Sequence, residues 1–371
     1  MRTGTADLPL HHGRAPKWLF ARMAKLAKAV AELVVLDAGP TGFLDCMSDP
    51  AWFQAFGCVL GFDWHSSGLT TTTCGAVKEG IRGEEENLGL FVAGGKGATS
   101  RKTPSEIEAW GERTGVDPGP LVDASRTSAK VDSAAVQDGY QIYHHVFLFN
   151  RDANWAVVQQ GMNDGNGMAR RYHWASSRVE DFVCEPHAAI CCDAKAPTLN
   201  LVAKESAGTR DASVEIAGGE PTKLVSELVR LKSLRMPKRH EILLADIAPK
   251  RLYQTFVKTY EAQPGTFREL LTLSGVGAKS LRALSLVSEL VYGEAPSFED
   301  PARYGFAHGG KDGIPYPVDQ ETYDRTIALL DRAIRKAKLG EREELNAFRR
   351  LERFFGPARV EGAEAGRGGA V

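Results

Sequence analysis

The sequence predicts an α+β fold, with a mixed α/β N-terminal domain that contains a prominent β-hairpin and an all-α C-terminal domain. Three observations support this. Aromatic and β-branched residues fill the runs 140–149 and 155–160 on either side of a polar turn, which is typical of a hairpin. From Leu224 to Lys338 apolar residues recur with the helical period. The 371 residues, 43% hydrophobic and 25% charged, are enough for two domains.

The elements before the hairpin follow from local patterns. Residues 16–33 carry apolar positions at helical spacing and predict a surface helix. Apolar runs at 56–62 and 88–93 surround the helix-like segment 73–81. We therefore expect a strand-helix-strand unit between the first helix and the hairpin.

The domain boundaries follow from a change in composition. Residues 203–222 are polar and include glycine and proline, which is typical of a connection. The last eleven residues, 361–371, are too poor in large apolar side chains to bury a core and predict a disordered tail. The predicted division is a mixed α/β domain at 1–205, a polar and basic connection at 206–245, a helical domain at 246–340, and a helix end with the tail at 341–371.

Charge and composition exclude several classes of protein. A formal net charge of -1 and a pI near 6.8 exclude a uniformly basic surface, so any contact with nucleic acid must come from local clusters of Lys and Arg. The chain shows neither a membrane-spanning run nor the apolar core of a signal peptide, so we expect a cytoplasmic protein without a membrane partner. Its six cysteines lack the spacing of a disulfide framework and are expected to be reduced.

The clearest binding pattern is a tight turn between two apolar-faced helices, predicted at 267–271 and 279–291. Gly275 can adopt a turn conformation that most residues cannot, and Gly277 leaves room for a phosphate beside the backbone. The N-H groups and dipole of the second helix favour an anion there, and Lys279 adds a positive charge.

This apolar-Gly-apolar-Gly turn with its following lysine resembles the helix-hairpin-helix motif of DNA repair and recombination proteins. The resemblance covers only residues 267–291. It implies binding of the DNA backbone that is independent of sequence and sensitive to salt. The basic run 221–240 is consistent with this interpretation, and the alternative is an αα-hairpin whose glycines only form the corner. The residues implied in DNA binding are Gly275, Val276, Gly277 and Lys279.

Several blocks in order along the chain resemble one family. They are residues 2–4 with 6–10, 62–68, 137–140, 157–163, 169–174 and 308–313. Up to about Gly340 the chain is similar to an uncharacterised family of archaeal and bacterial proteins, catalogued as a domain of unknown function. The resemblance implies no activity, so the chemistry must be argued from the residues.

Polar side chains concentrate around the hairpin, which predicts a functional site there. The alternative is that about half of them line the solvent-facing side of the sheet. The group consists of Asp132, Asp138, His144, His145, Asp152, Gln159, Gln160, Asn163, Arg170, Arg171 and His173.

Two mechanisms are compatible with this group. His145, Asp152, Gly161 and Asn163 loosely resemble a phospholipase D-like half-motif, in which the histidine attacks phosphorus without a metal. Phe147 stands where that motif has a lysine, which removes the expected phosphate ligand. The remaining predicted catalytic residues are His65, as a second histidine, together with Asp132, Asp138 and Gln160.

The second mechanism uses a metal ion. Asp132, Asp138 and Glu185 provide hard oxygen ligands for Mg²⁺ or Mn²⁺, which would activate water for phosphodiester hydrolysis. Their spacing is not diagnostic. A zinc site at Cys184-x-x-His187 followed by Cys191-Cys192 lacks the usual loop between ligand pairs, so buried thiols are favoured there.

Two glycine-rich loops, Gly94–Gly97 and Gly309–Gly313, each contain a lysine. Neither matches a Walker A sequence, which argues against ATP binding. Lys96 and Lys311 are nevertheless predicted to contact DNA phosphates, and a simple tight turn is the alternative for each loop. Arg170 and Arg171 complete the predicted DNA contacts.

These observations predict a DNA-processing phosphodiesterase or nuclease of repair, with a catalytic first domain and a DNA-binding second domain. One alternative is a non-catalytic DNA-binding module that recruits partners. The other is an enzyme acting on a small phosphorylated metabolite, in which the glycine-rich loops bind the substrate and the helical hairpin is structural.

Overall fold

The computed structural model describes residues 16–61, 67–192, 195–232, 248–302, 328–335, 337 and 341–355. None of its described helices is long and apolar enough to cross a membrane. The helices are α1 (Lys17–Ser48), α2 (Pro50–Leu60), α3 (Ser67–Gly80), α4 (Glu85–Leu88), α5 (Thr103–Thr114), α6 (Pro118–Lys130), α7 (Ala207–Ala217), α8 (Pro221–Lys232), α9 (Pro249–Ala262), α10 (Phe267–Thr272), α11 (Ala278–Val287), α12 (328–335) and α13 (Glu341–Phe355). Turns of π-helix follow α6 at Val131–Ala135 and α11 at Ser288–Tyr292.

The main sheet is antiparallel and has the strand order β1-β3-β4-β5-β6, and β2 pairs with β7 in a second, two-stranded sheet. The predicted hairpin is formed by β3 and β4, whose turn is closed by the Asn150 side chain accepting from the backbone N-H groups of Asp152 and Asn154. The strands are β1 (Leu90–Lys96), β2 (Val136–Gln137), β3 (Gln141–Asn150), β4 (Trp155–Asn163), β5 (Met168–Ala175), β6 (Ala189–Cys191) and β7 (Leu199–Asn200).

Both faces of the main sheet are covered. Because successive side chains of a strand point to opposite faces, Phe147 and Trp155 belong to one apolar core while Val146 and Val158 belong to the other. The first core includes residues of α5, α6 and the helices from α7 to α11. The second includes residues of α1, α2, α3 and α12. Polar residues in the middle of these strands are therefore covered by a core, whichever face of the sheet their side chains lie on.

The strand predicted at 56–62 is wrong, because residues up to Leu60 belong to α2. Asp49 caps this helix by accepting from the Trp52 N-H at 2.7 Å. All residues of α2 except Ala51 are buried. A helix enclosed on all sides has no polar face, so its sequence reads as a continuous apolar run that periodicity cannot distinguish from a strand.

The segment 206–245, predicted as a polar connection, contains α7 and α8. Both are amphipathic, and their apolar residues Ile216, Leu224 and Leu228 are buried in the core that contains Phe147. One core thus joins the sheet to the C-terminal helices. Residues 233–247 and 356–371, which include the predicted tail, lie outside the described residues.

Candidate functional site

A hydrogen-bond network centred on Asp132 lies on the first face of the sheet. Asp132 belongs to the π-helical turn after α6 and is fully buried. Its carboxylate accepts from Gln159 Nε2 at 2.5 Å and from Trp174 Nε1 at 3.0 Å, and it lies 2.5 Å from His187 Nε2. An ionised carboxylate only accepts hydrogen bonds. These three neighbours therefore fix the orientation of Asp132 from three sides.

Gln159 extends the network to His145. Because the Gln159 amide nitrogen donates to Asp132, its Oε1 faces His145 Nδ1 at 2.9 Å, and Nδ1 must donate. His145 Nε2 then accepts from the Ser125 hydroxyl at 2.9 Å. Burial holds the pKa of His145 below its ordinary value. Both the histidine and the serine are buried, so neither ring nitrogen of His145 is available to a substrate in this conformation.

A buried ion-pair cluster lies next to this network. Arg170 donates to Asp138 Oδ2 at 2.9 Å and to both carboxylate oxygens of Asp300, at 2.7 and 3.1 Å. Tyr172 donates to Asp138 at 2.6 Å. Burial opposes the charge of Arg170, but the Asp138 and Asp300 carboxylates outweigh it and raise the pKa of the guanidinium. Asp300 thereby joins the chain after α11 to the centre of β5.

The opposite face of the sheet carries a second polar group. Gln160 donates to the Ser67 carbonyl at 2.9 Å and to Tyr143 Oη at 2.5 Å. His144 is buried, and neither of its ring nitrogens has a hydrogen-bond partner among the residues that the structure describes. Burial, with the nearby charges of His145 and Lys96, lowers the pKa of His144 to about 3. His144 is therefore a neutral imidazole at physiological pH.

Arg171 lies on this second face as well. It donates to Gln54 Oε1 at 3.0 Å and is 3.4 Å from Thr70 Oγ1, and it lies over the Phe53 ring at 4.6 Å. The adjacent residue Arg170 points to the first face. Both arginines are completely buried. Their predicted contact with DNA is therefore corrected, because a buried guanidinium cannot reach a phosphate on the outside of the protein.

A cavity of about 300 Å³ opens beside His187. It lies against β6 and the segments 195–205 and 297–302. The His187 ring packs on Trp174 with centroids 4.5 Å apart, and its Nε2 is held by Asp132. The cavity is the place where the buried network on the first face reaches a space large enough for a small ligand. Its charged lining residues are Glu185, His187, Lys195, Glu205, Glu299 and Asp300.

The glycine-containing turn lies between α10 and α11, as its sequence pattern predicts. Val276 is buried in the first core, whereas Gly275 and Lys279 are exposed. Gly275 has φ +96, a conformation that favours glycine. Lys130 Nζ donates to the Val276 carbonyl at 2.5 Å, which attaches the turn to the end of α6.

A second set of hydrogen bonds attaches the other end of the turn. Gln137 Nε2 donates to the carbonyl of Ala278 at 2.9 Å, and Gln137 Oε1 accepts from Arg282 Nε at 2.8 Å. Residues 130–137, which we call the linking segment, therefore hold the turn at both ends. Asp132 lies within this segment.

The other predicted site residues are dispersed. Asp152 lies in the exposed hairpin turn, and Gln160 is on the opposite face from His145, so neither belongs to one catalytic group with it. Lys96 is exposed at the end of β1, 5.6 Å from the Tyr143 ring centre. His65 and Lys311 lie outside the described residues.

The predicted metal ligands have different surroundings. Asp132 and Asp138 are engaged by the donors described above, whereas Glu185 is exposed at the cavity. Among the residues that the structure describes, no group of three or more His, Cys, Asp and Glu side chains is placed to hold a metal ion. The described cysteines are free thiols, and the Mg²⁺ or Mn²⁺ site stays a prediction.

Sequence reasoning missed His187, Ser125 and Asp300 as members of the site. His187 lies in an irregular loop, and its spacing from Cys184 suggests only a zinc ligand. Ser125 lies on α6, one turn before Ser128, and resembles any small buried helix residue. No spacing rule joins Asp300 to Arg170, because 130 residues separate them.

A family model described as "Protein of unknown function (DUF763)" matches residues 4–318. No curated protein and no solved structure matches the chain.

Proposed function

We propose a function for this chain, which belongs to the DUF763 family: it holds the sugar-phosphate backbone of DNA, without regard to sequence, at the turn between α10 and α11. One observation carries the proposal. Val276 is anchored in the core, whereas Gly275 beside it is exposed and Gly277 is half-buried next to the first turn of α11. A phosphate can approach the backbone at Gly277, because a Cβ placed there would meet no atom within 4 Å.

The chemistry of the turn favours an anion. The first N-H groups of a helix have no acceptor inside the helix and carry the positive end of its dipole. Lys279 is exposed in the first turn of α11. Lys258 Nζ comes within 3.8 Å of the position that a Cβ would occupy on Gly275. Backbone donors and two lysines thus surround a single small area.

Gly277 provides a direct test, since a Cβ added there would meet no atom within 4 Å. Its φ of -154 is open to any residue, so Gly277→Ala should fold normally. The added methyl group would stand where a phosphate approaches, and we expect DNA affinity to fall about fivefold, or roughly 1 kcal/mol. Fluorescence anisotropy with labelled single-stranded and duplex DNA measures this change. Unchanged affinity would support the purely structural hairpin.

Lys279→Ala should change the salt dependence. The loss of one phosphate contact lowers the slope of log affinity against log salt by about 1. Lys17→Ala is the matched control, because Lys17 is exposed on α1 and the substitution removes the same charge. An equal slope for both variants would place the phosphate contact elsewhere on the protein.

DNA processing by a phosphodiesterase or nuclease of repair is a second proposal. The observation that favours it is the concentration of ionisable groups around Asp132, which reaches a cavity at His187. Incubation of duplex and branched DNA with the protein, with and without Mn²⁺, tests for cleavage. If the hydrogen-bond network around Asp132 takes part in cleavage, Asp132→Asn should abolish the activity. DNA binding without cleavage under either condition would favour the non-catalytic module.

A further inference from the structure

The carbonyl oxygens of the turn between α10 and α11 meet hydrogen-bond donors of the protein itself. Residues 275–278 supply four such oxygens in a row, and three of the four donors are side chains from outside the helical hairpin. The pairs are Gly275 with the Thr255 hydroxyl at 3.5 Å, Val276 with Lys130 Nζ at 2.5 Å, Gly277 with the Leu281 N-H at 3.0 Å, and Ala278 with Gln137 Nε2 at 2.9 Å. The partial negative charges of these oxygens are therefore directed toward the protein.

The N-H groups at the start of α11 are in the opposite situation. Those of Ala278 and Lys279 meet no acceptor in the part of the chain that the structure describes, as is usual for the first positions of a helix. With the helix dipole, they favour an anion. A carbonyl oxygen that turned outward beside them would repel a phosphate. The orientation of the carbonyls therefore determines how well the turn accepts an anion.

Among the four donors, only Lys130 is charged. It is half-buried at the end of α6, and no described residue offers it a carboxylate. Burial lowers the pKa of its ammonium group. Hydrogen bonds from charged donors are stronger than those from neutral ones. We therefore expect Lys130 to make the strongest of the contacts that orient the carbonyls.

We propose that the linking segment controls DNA binding at the turn, and that Lys130 is the positioning residue through which it acts. The inference rests on the proposed DNA binding and adds the control of that site by a part of the chain outside the helical hairpin. Lys130 keeps the Val276 carbonyl turned inward, and Gln137 does the same for Ala278. The donors for a phosphate are then in place before DNA arrives, so binding requires little rearrangement.

Lys130→Met tests this role, because methionine keeps most of the length of the side chain and removes the charged donor. We expect the DNA affinity of the full chain to fall about fivefold. The slope of log affinity against log salt should stay as in the unmodified chain, since a positioning residue contacts no phosphate. Fluorescence anisotropy with labelled DNA at several salt concentrations measures both quantities.

Two variants serve as controls for Lys130→Met. Lys130→Arg retains a charged donor and should recover most of the affinity. Lys17→Met removes the same charge from the exposed surface of α1 and should bind DNA as the unmodified chain does. If Lys130→Met folds poorly, Gln137→Met removes the donor to the Ala278 carbonyl and should lower the affinity about threefold.

Amide hydrogen exchange of the free protein examines the turn without DNA. Loss of the contact from Lys130 should allow residues 275–279 to open more often, so their exchange should be about tenfold faster in Lys130→Met. Lys130→Arg should restore the slower exchange. Lys17→Met should leave it unchanged.

The outcomes separate the two proposals. DNA affinity that is unchanged in both Lys130→Met and Gln137→Met overturns the control by the linking segment. A salt slope lowered by about 1 in Lys130→Met overturns the positioning role, because Lys130 would then contact a phosphate directly. If the unmodified chain does not bind DNA, the proposed function fails, and the exchange measurement still decides whether Lys130 positions the turn.

Discussion

Replacement of Arg170 by leucine should destabilise the fold by about 3–5 kcal/mol, because it leaves two carboxylates in a buried site without their cation. Arg170 is completely buried and donates to both Asp138 and Asp300. Leucine also removes the guanidinium that lies 4.7 Å from the Tyr140 ring centre. Urea denaturation of Arg170→Leu and the unmodified chain measures the difference in the free energy of unfolding.

The control for this prediction is an exposed ion pair. Arg82 lies 2.7 Å from Glu79, and 70% of its side chain is exposed. Arg82→Leu should change stability by less than about 1 kcal/mol. A loss for Arg170→Leu that is no larger than for Arg82→Leu would contradict the buried cluster. In the double variant Arg170→Leu/Asp138→Asn we expect partial recovery, since one unpaired charge is removed.

Acid should destabilise the protein between about pH 6.5 and pH 3. The pKa of His144 is lowered from 6.5 to about 3 in the folded protein, so between these values the unfolded chain binds a proton that the folded chain does not. The stability contributed by the neutral imidazole is complete above pH 6.5 and is lost as the pH falls. A single group of this kind gives a slope approaching about 1.4 kcal/mol per pH unit.

His145 and His173 act in the same direction, since burial lowers the pKa of both. Denaturation curves at pH 7, 6, 5 and 4 give the slope, and His144→Leu should reduce it. The substitution also removes two ring nitrogens that no described residue meets with a hydrogen bond, so stability at pH 7 should be retained. If the free energy of unfolding of His144→Leu falls with pH as steeply as that of the unmodified chain, His144 is protonated at an ordinary pH in the folded state.

The sequence predicts the hairpin well because alternation and turn chemistry act locally. It does not predict which polar side chains meet. His145 pairs with Gln159 and His144 with Gln160 across β3 and β4, and an irregularity in the register between Ile142 and His144 obscures this pairing. A shift by one residue exchanges the two faces of a strand. The sequence therefore places these polar residues on two adjacent strands, while their division into two separate groups required the structure.

Burial explains why the predicted DNA contacts of Arg170 and Arg171 are wrong. Arginines are mostly exposed in proteins, and from sequence Arg170 and Arg171 look like surface contacts for DNA. Their partners Asp300, Gln54 and Thr70 are at least 100 residues away along the chain. The turn at Gly275 could be placed from sequence because the special conformations and the apolar anchor lie within a few consecutive residues.

The linking segment has a consequence for the geometry of a complex with DNA. Lys130 and Gln137 hold the turn, and Asp132 between them holds His187. The turn and the cavity are therefore fixed to the same short piece of chain. If the turn binds DNA as proposed, the bound phosphate and any ligand in the cavity are held at one constant distance from each other, whatever the sequence of the DNA.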